Sequence, residues 1–133
     1  MSDSARLLVV DDDWKIAQAV AIRARAMGCE VFTAHDGEAG LKEALANRPD
    51  AIILDLQMPK RDGLSVLSAL RAREDTKHIP VIVLSASTAD TSVALEAGAL
   101  RFLSKPYDPR ILTATIDSAL RVARAHAQAA AGV

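Results

Sequence analysis

Ala51-Ile52-Ile53-Leu54 is apolar at every position and ends abruptly in Asp55. A strand with one face in water alternates apolar and polar residues, whereas one without alternation is buried on both faces. Four residues are too few for a stable helix, and two of these are β-branched, so the run reads as a buried strand. A loop punctuated by Pro and Gly follows, Leu56-Gln57-Met58-Pro59 and then Asp62-Gly63. Two other runs share this form. Leu7-Leu8-Val9-Val10 closes in Asp11-Asp12-Asp13, and Ile79-Pro80-Val81-Ile82-Val83-Leu84 closes in Ser85. Strands of this kind belong to parallel sheets with helices covering both faces.

The segments between them have helical spacing. Ile16, Val20, Ala24 and Met27 recur up to Gly28, a natural stop. Asp36 is a candidate N-cap for a helix carrying Ala39, Leu41, Ala44 and Leu45, which ends before Pro49. Leu64, Leu67 and Leu70 share a face of the next helix, and Ala89 to Ala97 forms a short one stopped by Gly98. Asp108-Pro109 caps and opens a last helix with Ile111, Leu112, Ile116, Ala119, Leu120 and Ala123. Glu30-Val31-Phe32-Thr33-Ala34 reads as a half-exposed edge strand, and Arg101-Phe102-Leu103-Ser104 as a weak strand entering Lys105-Pro106. Five strand–helix alternations predict an α/β fold. The expected form is a doubly wound, five-stranded parallel sheet of order 2-1-3-4-5 with helices on both faces, flavodoxin-like. A single domain spans 1–133, with a core from about 6 to 125 and a fraying tail over 126–133.

Composition narrows function by exclusion. The net charge of −1 lacks the basic excess usual in nucleic-acid binders. No apolar run approaches bilayer length, and Met1 to Arg6 has no signal-peptide character, so membrane partners are not expected. The lone Cys29 cannot form an internal disulfide and reads as a small core residue in a cytoplasmic protein. His35, His78 and His126 have no metal-ligand spacing and read as surface residues; Trp14, two positions beyond Asp12, flanks the strand-end crevice.

Ligands of doubly wound sheets bind at the carboxyl ends of the strands, beside the switch point between the first and third. That order gathers Asp11, Asp12 and Asp55 around one crevice. Three carboxylates repel at neutral pH and ask for a cation, and an all-oxygen set with open positions suits Mg²⁺. Ser85 and Lys105 stand on the other side, as a hydroxyl donor and a point positive charge. These are parts for phosphoryl transfer. The plainer reading makes Asp11 and Asp12 helix caps, Asp55 a turn cap and Lys105 a solvated surface lysine; Asp13 is assigned to the cap in either case.

Val9-Val10-Asp11-Asp12-Asp13, then Asp55 through Pro59 to Gly63, then Val83-Leu84-Ser85-Ala86, then Lys105-Pro106 resemble the receiver domain of two-component response regulators. The likeness runs from about Leu7 to about Arg121. It implies that Asp55 accepts a phosphoryl group from a phospho-His on a sensor histidine kinase or histidine phosphotransfer protein. It implies Mg²⁺, or Mn²⁺, held by Asp12 directly, Asp11 mainly through water, Asp55, and the backbone carbonyl of Gln57. Ser85 would donate to the phosphoryl oxygen, Lys105 would pair with it, and Phe102 would be the switch aromatic, a static core Phe being the alternative.

Two departures from the family pattern stand out. The 20-position step from Ser85 to Lys105 is short for the family, which implies a trimmed loop or fourth helix. Leu100-Arg101 stands where many receivers carry two acidic residues. The resulting expectation is a stand-alone, chemotaxis-type receiver without a DNA-binding output domain. It would not be a turnover enzyme, and it would switch contacts with a downstream protein target or form a homodimer through the fourth helix, fifth strand and fifth helix. A haloacid-dehalogenase-like phosphatase would want an Asp at Gln57. A dinucleotide-binding domain would want glycines after the first strand. A pseudo-receiver would lack a metal or acceptor residue.

Overall fold

The computed structural model describes residues 4–58 and 60–130. The reading of the first residues as leader-free therefore falls partly outside the described set, as do residues 131–133 of the expected tail. The elements are β1 (Arg6–Val10), α1 (Trp14–Ala26), β2 (Glu30–Ala34), α2 (Gly37–Asn47), β3 (Ala51–Leu54), α3 (Gly63–Arg71), β4 (Val81–Ser85), α4 (Thr91–Glu96), β5 (Arg101–Ser104) and α5 (Pro109–Ala130). All strand pairs are parallel, in the order β2-β1-β3-β4-β5. No described helix is long and apolar enough to cross a membrane.

The non-alternating strands are buried on both faces, as their composition requires. Leu7, Val9, Ile53, Ile82 and Leu84 pack against α1 and α5; Leu8, Val10, Ile52, Leu54 and Val83 pack against α2, α3 and α4. The edge strand β2 is half-exposed, and Cys29 is buried just before it. Helix starts follow the expected caps. Asp13 accepts from Lys15 N–H (2.9 Å) and Ile16 N–H (3.2 Å), Asp36 from Ala39 N–H (2.8 Å), and Asp108 from Arg110 N–H (2.8 Å).

Several faces turn out differently from their spacing. The buried stripe of α1 is Ala17, Val20, Ala21 and Ala24, while Met27 is exposed, because small residues let the helix lie close on the sheet. Ile111 is exposed rather than buried, since Leu112 and Ile116 already fill that side of the core. β4 begins at Val81, two residues late. Ile79 N–H is spent on a turn to Thr76 O (3.0 Å), and Pro80 has no N–H to offer a neighbouring strand. α4 has six residues and is preceded by a 3₁₀ turn over Thr88–Asp90. α5 stays helical through 126–130, where a fraying tail was expected.

Arg71, at the end of α3, clasps this half of the molecule. Its guanidinium donates to Gly98 O (2.8 Å), Ile79 O (2.8 Å) and Lys77 O (3.1 Å), tying the end of α4 to the turn before β4. Burial lowers its pKa, a cost the three carbonyls offset.

Gly63, the first residue of α3, controls how closely that helix approaches the end of β3. A Cβ there would run into the Asp55 carbonyl oxygen and lie 2.6 Å from Leu56 Cα, both backbone atoms. Helix propensity alone would make Gly63→Ala stabilising by about 1 kcal/mol. The steric conflict should win, so urea unfolding should show a loss of about 1–3 kcal/mol. A stabilised variant would mean that the loop yields freely.

Candidate functional site

Parallel register sets the positions of the strand-end residues. Val10 pairs with both Ala34 and Leu54, so Asp11 and Asp55 emerge side by side, and Asp55 N–H donates to Val10 O (2.9 Å). Carboxylate oxygens of Asp11, Asp12 and Asp55 all lie within 4.8 Å of one another. Asp11 is 2% exposed and Asp55 4%, whereas Asp12 opens to solvent. Lys105 reaches in from the end of β5, with Nζ 2.9 Å from Asp11 Oδ2 and 3.4 Å from Asp55 Oδ2. Its own N–H donates to Ser85 O (2.9 Å), which fixes the β5 exit against β4. The Lys105–Pro106 peptide is cis.

The charges do not balance. Burial first, and then the charge of Asp11, push the Asp55 carboxyl up to about 6, although Lys105 and the Gln57 N–H (3.3 Å) pull the other way. At Lys105 burial opposes the ammonium, but the hydrogen bond and charge of Asp11, with Asp55 behind them, outweigh it and raise its pKa. One ammonium thus serves two buried carboxylates, with a third at the rim. The donor set fits a hard divalent cation: three carboxylates, all oxygen, with one side open to water. The cluster can hold such an ion.

Other residues singled out by sequence sit further off. Ser85 is fully buried, and its Oγ accepts from Ser87 N–H (3.3 Å). Phe102 is half-buried against the α2–α3–α4 side of the core, level with Val83 and below the crevice. Gln57 presents its N–H to Asp55, and Pro59 lies outside the described residues. The loop carrying them is pinned to α2 by Lys60–Asp36 (3.6 Å) and Arg61–Glu38 (3.7 Å).

His35 was expected on the open surface and instead supports the site. Its Nδ1 lies 3.1 Å from Asp11 O, to which it donates, and its ring stacks under Trp14 at 3.4 Å. Trp14 is 69% exposed, so the pair forms an aromatic lip beside the crevice. The signal was available in the strand order: if β1 and β2 are neighbours in register, the residues after Val10 and Ala34 meet.

The raised Asp55 pKa carries a stability consequence. A carboxyl that titrates near 6 when folded and near 4 when unfolded keeps its proton in the folded state over that interval. Stability therefore falls as pH rises from about 4 to about 6, and the loss persists above. Two pKa units set an upper bound of about 3 kcal/mol. In metal-free buffer, Asp55→Asn should be more stable than wild type at pH 7.5 by about 1–3 kcal/mol, and the gain should vanish at pH 4. Urea unfolding at both pH values measures it; a variant less stable at pH 7.5 would contradict the electrostatic reading.

Comparison with known proteins agrees with this geometry. The pattern of the family described as response regulator receiver domain matches residues 7–117, which include all four strand-end positions. The transcriptional regulatory protein PrrA of Mycobacterium tuberculosis is 48% identical over 120 residues, covering 89% of this chain and 51% of that protein. The alkaline phosphatase synthesis transcriptional regulatory protein PhoP of Bacillus subtilis is 36% identical over 118 residues, covering 87% and 48%. The chain thus spans about half the length of these curated relatives. Among solved structures, the chemotaxis response regulator CheY4 of Vibrio cholerae superposes with a TM-score of 0.82 at 34% identity, over 88% of this chain and 99% of that one. The Francisella response regulator 1452 receiver domain gives 0.82 at 33%, over 89% and 98%. Sheet order, strand-end carboxylates, lysine and family pattern coincide over the same residues, and the chain belongs to the receiver-domain family of two-component response regulators.

Proposed function

We propose that this domain is a phosphoacceptor whose Asp55 takes a phosphoryl group from the phospho-His of a sensor histidine kinase or histidine phosphotransfer protein. The observation that carries the reading is the buried Asp55 carboxylate, clustered with those of Asp11 and Asp12 and 3.4 Å from Lys105 Nζ, which also holds Asp11. An Asp55 oxygen attacks phosphorus, the P–N bond breaks, and the imidazole leaves with its electron pair and takes up a proton. Lys105 offsets charge on the phosphoryl oxygens, and the Ser85 hydroxyl turns from Ser87 to donate to one of them. Asp11, Asp12 and Asp55, with the Gln57 carbonyl, would hold Mg²⁺ (Mn²⁺ also suits), which when bound supplies the positive charge that the crevice lacks.

Output is by changed protein contacts. Drawing Ser85 toward the phosphoryl group opens space near β4, which the half-buried Phe102 on β5 gains by filling. The face of α4, β5 and α5 would then change shape. Its exposed Val93, Leu95 and Ile111 suit a downstream protein or a second copy of this chain. The unit turns over no external substrate. With net charge −1 it is assigned no nucleic-acid or membrane partner, and it works in the cytoplasm beside its kinase.

Incubation with acetyl phosphate and Mg²⁺ should add the mass of one phosphoryl group to wild type and none to Asp55→Asn or to wild type in EDTA. An unchanged mass shift in Asp55→Asn sinks the assignment. Beryllofluoride, a phosphoryl mimic, should shift amide NMR signals around Phe102 and residues 89–112 in wild type but not in Ser85→Ala. Shifts confined to the crevice, or kept in Ser85→Ala, would remove the proposed relay.

A further inference from the structure

His78 and His126 meet at the end of the sheet opposite the acidic crevice. His78 lies in the turn before β4 and His126 late in α5, and their rings stack with centroids 3.9 Å apart. Both are exposed, and beyond Ala123 the described residues of α5 are all exposed as well. The pair therefore joins an otherwise unsupported stretch of helix to the body. Both imidazoles line a cavity of about 330 Å³ together with Asp50, Glu74 and Asp75.

We propose that His78 and His126 form a binding site for a divalent transition-metal ion of the zinc and copper class, which staples α5 to the α3–β4 turn. Imidazole nitrogens favour such ions over Mg²⁺, so this site and the carboxylate crevice select different metals. Zinc bonds of about 2.0–2.1 Å hold two imidazole nitrogens roughly 3.3 Å apart; because their lone pairs lie in the ring planes, the two adjacent exposed rings rotate out of the stack to aim at one ion. Glu74 lies within electrostatic reach of His78 and pairs with Lys77 at 2.9 Å. Its side chain is 91% exposed, so it exchanges that partner for a metal at little cost. Water fills the remaining positions. Partial desolvation, then the charges of His126 and Lys77 with a smaller part from Arg71, hold the His78 pKa below the ordinary imidazole value against the pull of Glu74, a direction that eases metal binding. The site is independent of the phosphoacceptor reading.

The test is calorimetric titration of zinc chloride into the untagged full chain at pH 7.5, with Mg²⁺ in excess to occupy the crevice. One zinc per chain should bind, and His126→Gln and His78→Gln should each weaken it at least about tenfold. Asp12→Asn should leave it unchanged. Zinc should raise the thermal midpoint of wild type and of neither histidine variant, and binding should weaken steeply toward acid pH, because protons compete with the metal for imidazole nitrogen. Zinc affinity that survives both histidine substitutions, or that falls with Asp12→Asn, overturns the proposal. So does the absence of stoichiometric zinc uptake by wild type, which would leave the pair a simple aromatic stack.

Discussion

Two buried carboxylates share one ammonium. Lys105 Nζ lies 2.9 Å from Asp11 and 3.4 Å from Asp55, and among the described residues no other cation pairs with either carboxylate. Ion pairs in such surroundings are worth much more than in water, but so is the repulsion between Asp11 and Asp55. Burial of Asp55 and, after it, the part of that repulsion the ammonium does not cancel push the Asp55 carboxyl up to about 6. The crevice is therefore built short of positive charge. A cation, or a rearrangement that brings one, relieves the deficit; in this sense the binding site is a stored electrostatic imbalance.

The rest of the fold makes that imbalance possible. β1 and β3 are buried on both faces, so the residues that end them emerge in fixed positions, and the parallel register sets Asp11 beside Asp55. β5 delivers Lys105 from across β4, and the Ser85 carbonyl holds its backbone. His35 and the exposed Trp14 close the β2 side, while Gly63 lets α3 begin directly under the Asp55 carbonyl. Each device fixes a backbone atom of a charged residue, so the carboxylates cannot spread apart to relax.

The strands and the charged residues that end them were legible because each rests on local sequence. Unbroken apolar runs such as Ile52-Ile53-Leu54 have one reading at that length, and a charge at their end falls at the mouth of a parallel sheet. What escaped depends on contacts between distant segments. The place of His35 against Asp11 follows only from the lateral pairing of β1 with β2. The Arg71 clasp needs three carbonyls from two separate loops, and nothing in Leu70-Arg71-Ala72 announces them. Ile111 sits at apolar spacing and yet faces solvent, because hydrophobicity alone does not say which of two adjacent apolar residues the core has room for. The stacking of His78 on His126 likewise needs the length and angle of α5, which residue spacing does not convey.

The charge deficit can be read directly from the Asp55 side chain. In metal-free protein with ¹³C-labelled aspartate, the Asp55 carboxyl resonance should titrate near pH 6, and higher in Lys105→Met, where the single neutralising ammonium is gone. Adding Mg²⁺ to wild type should pull the midpoint back down. An Asp55 that titrates near 4 without metal, and that does not respond to Lys105→Met, would contradict the account at its base.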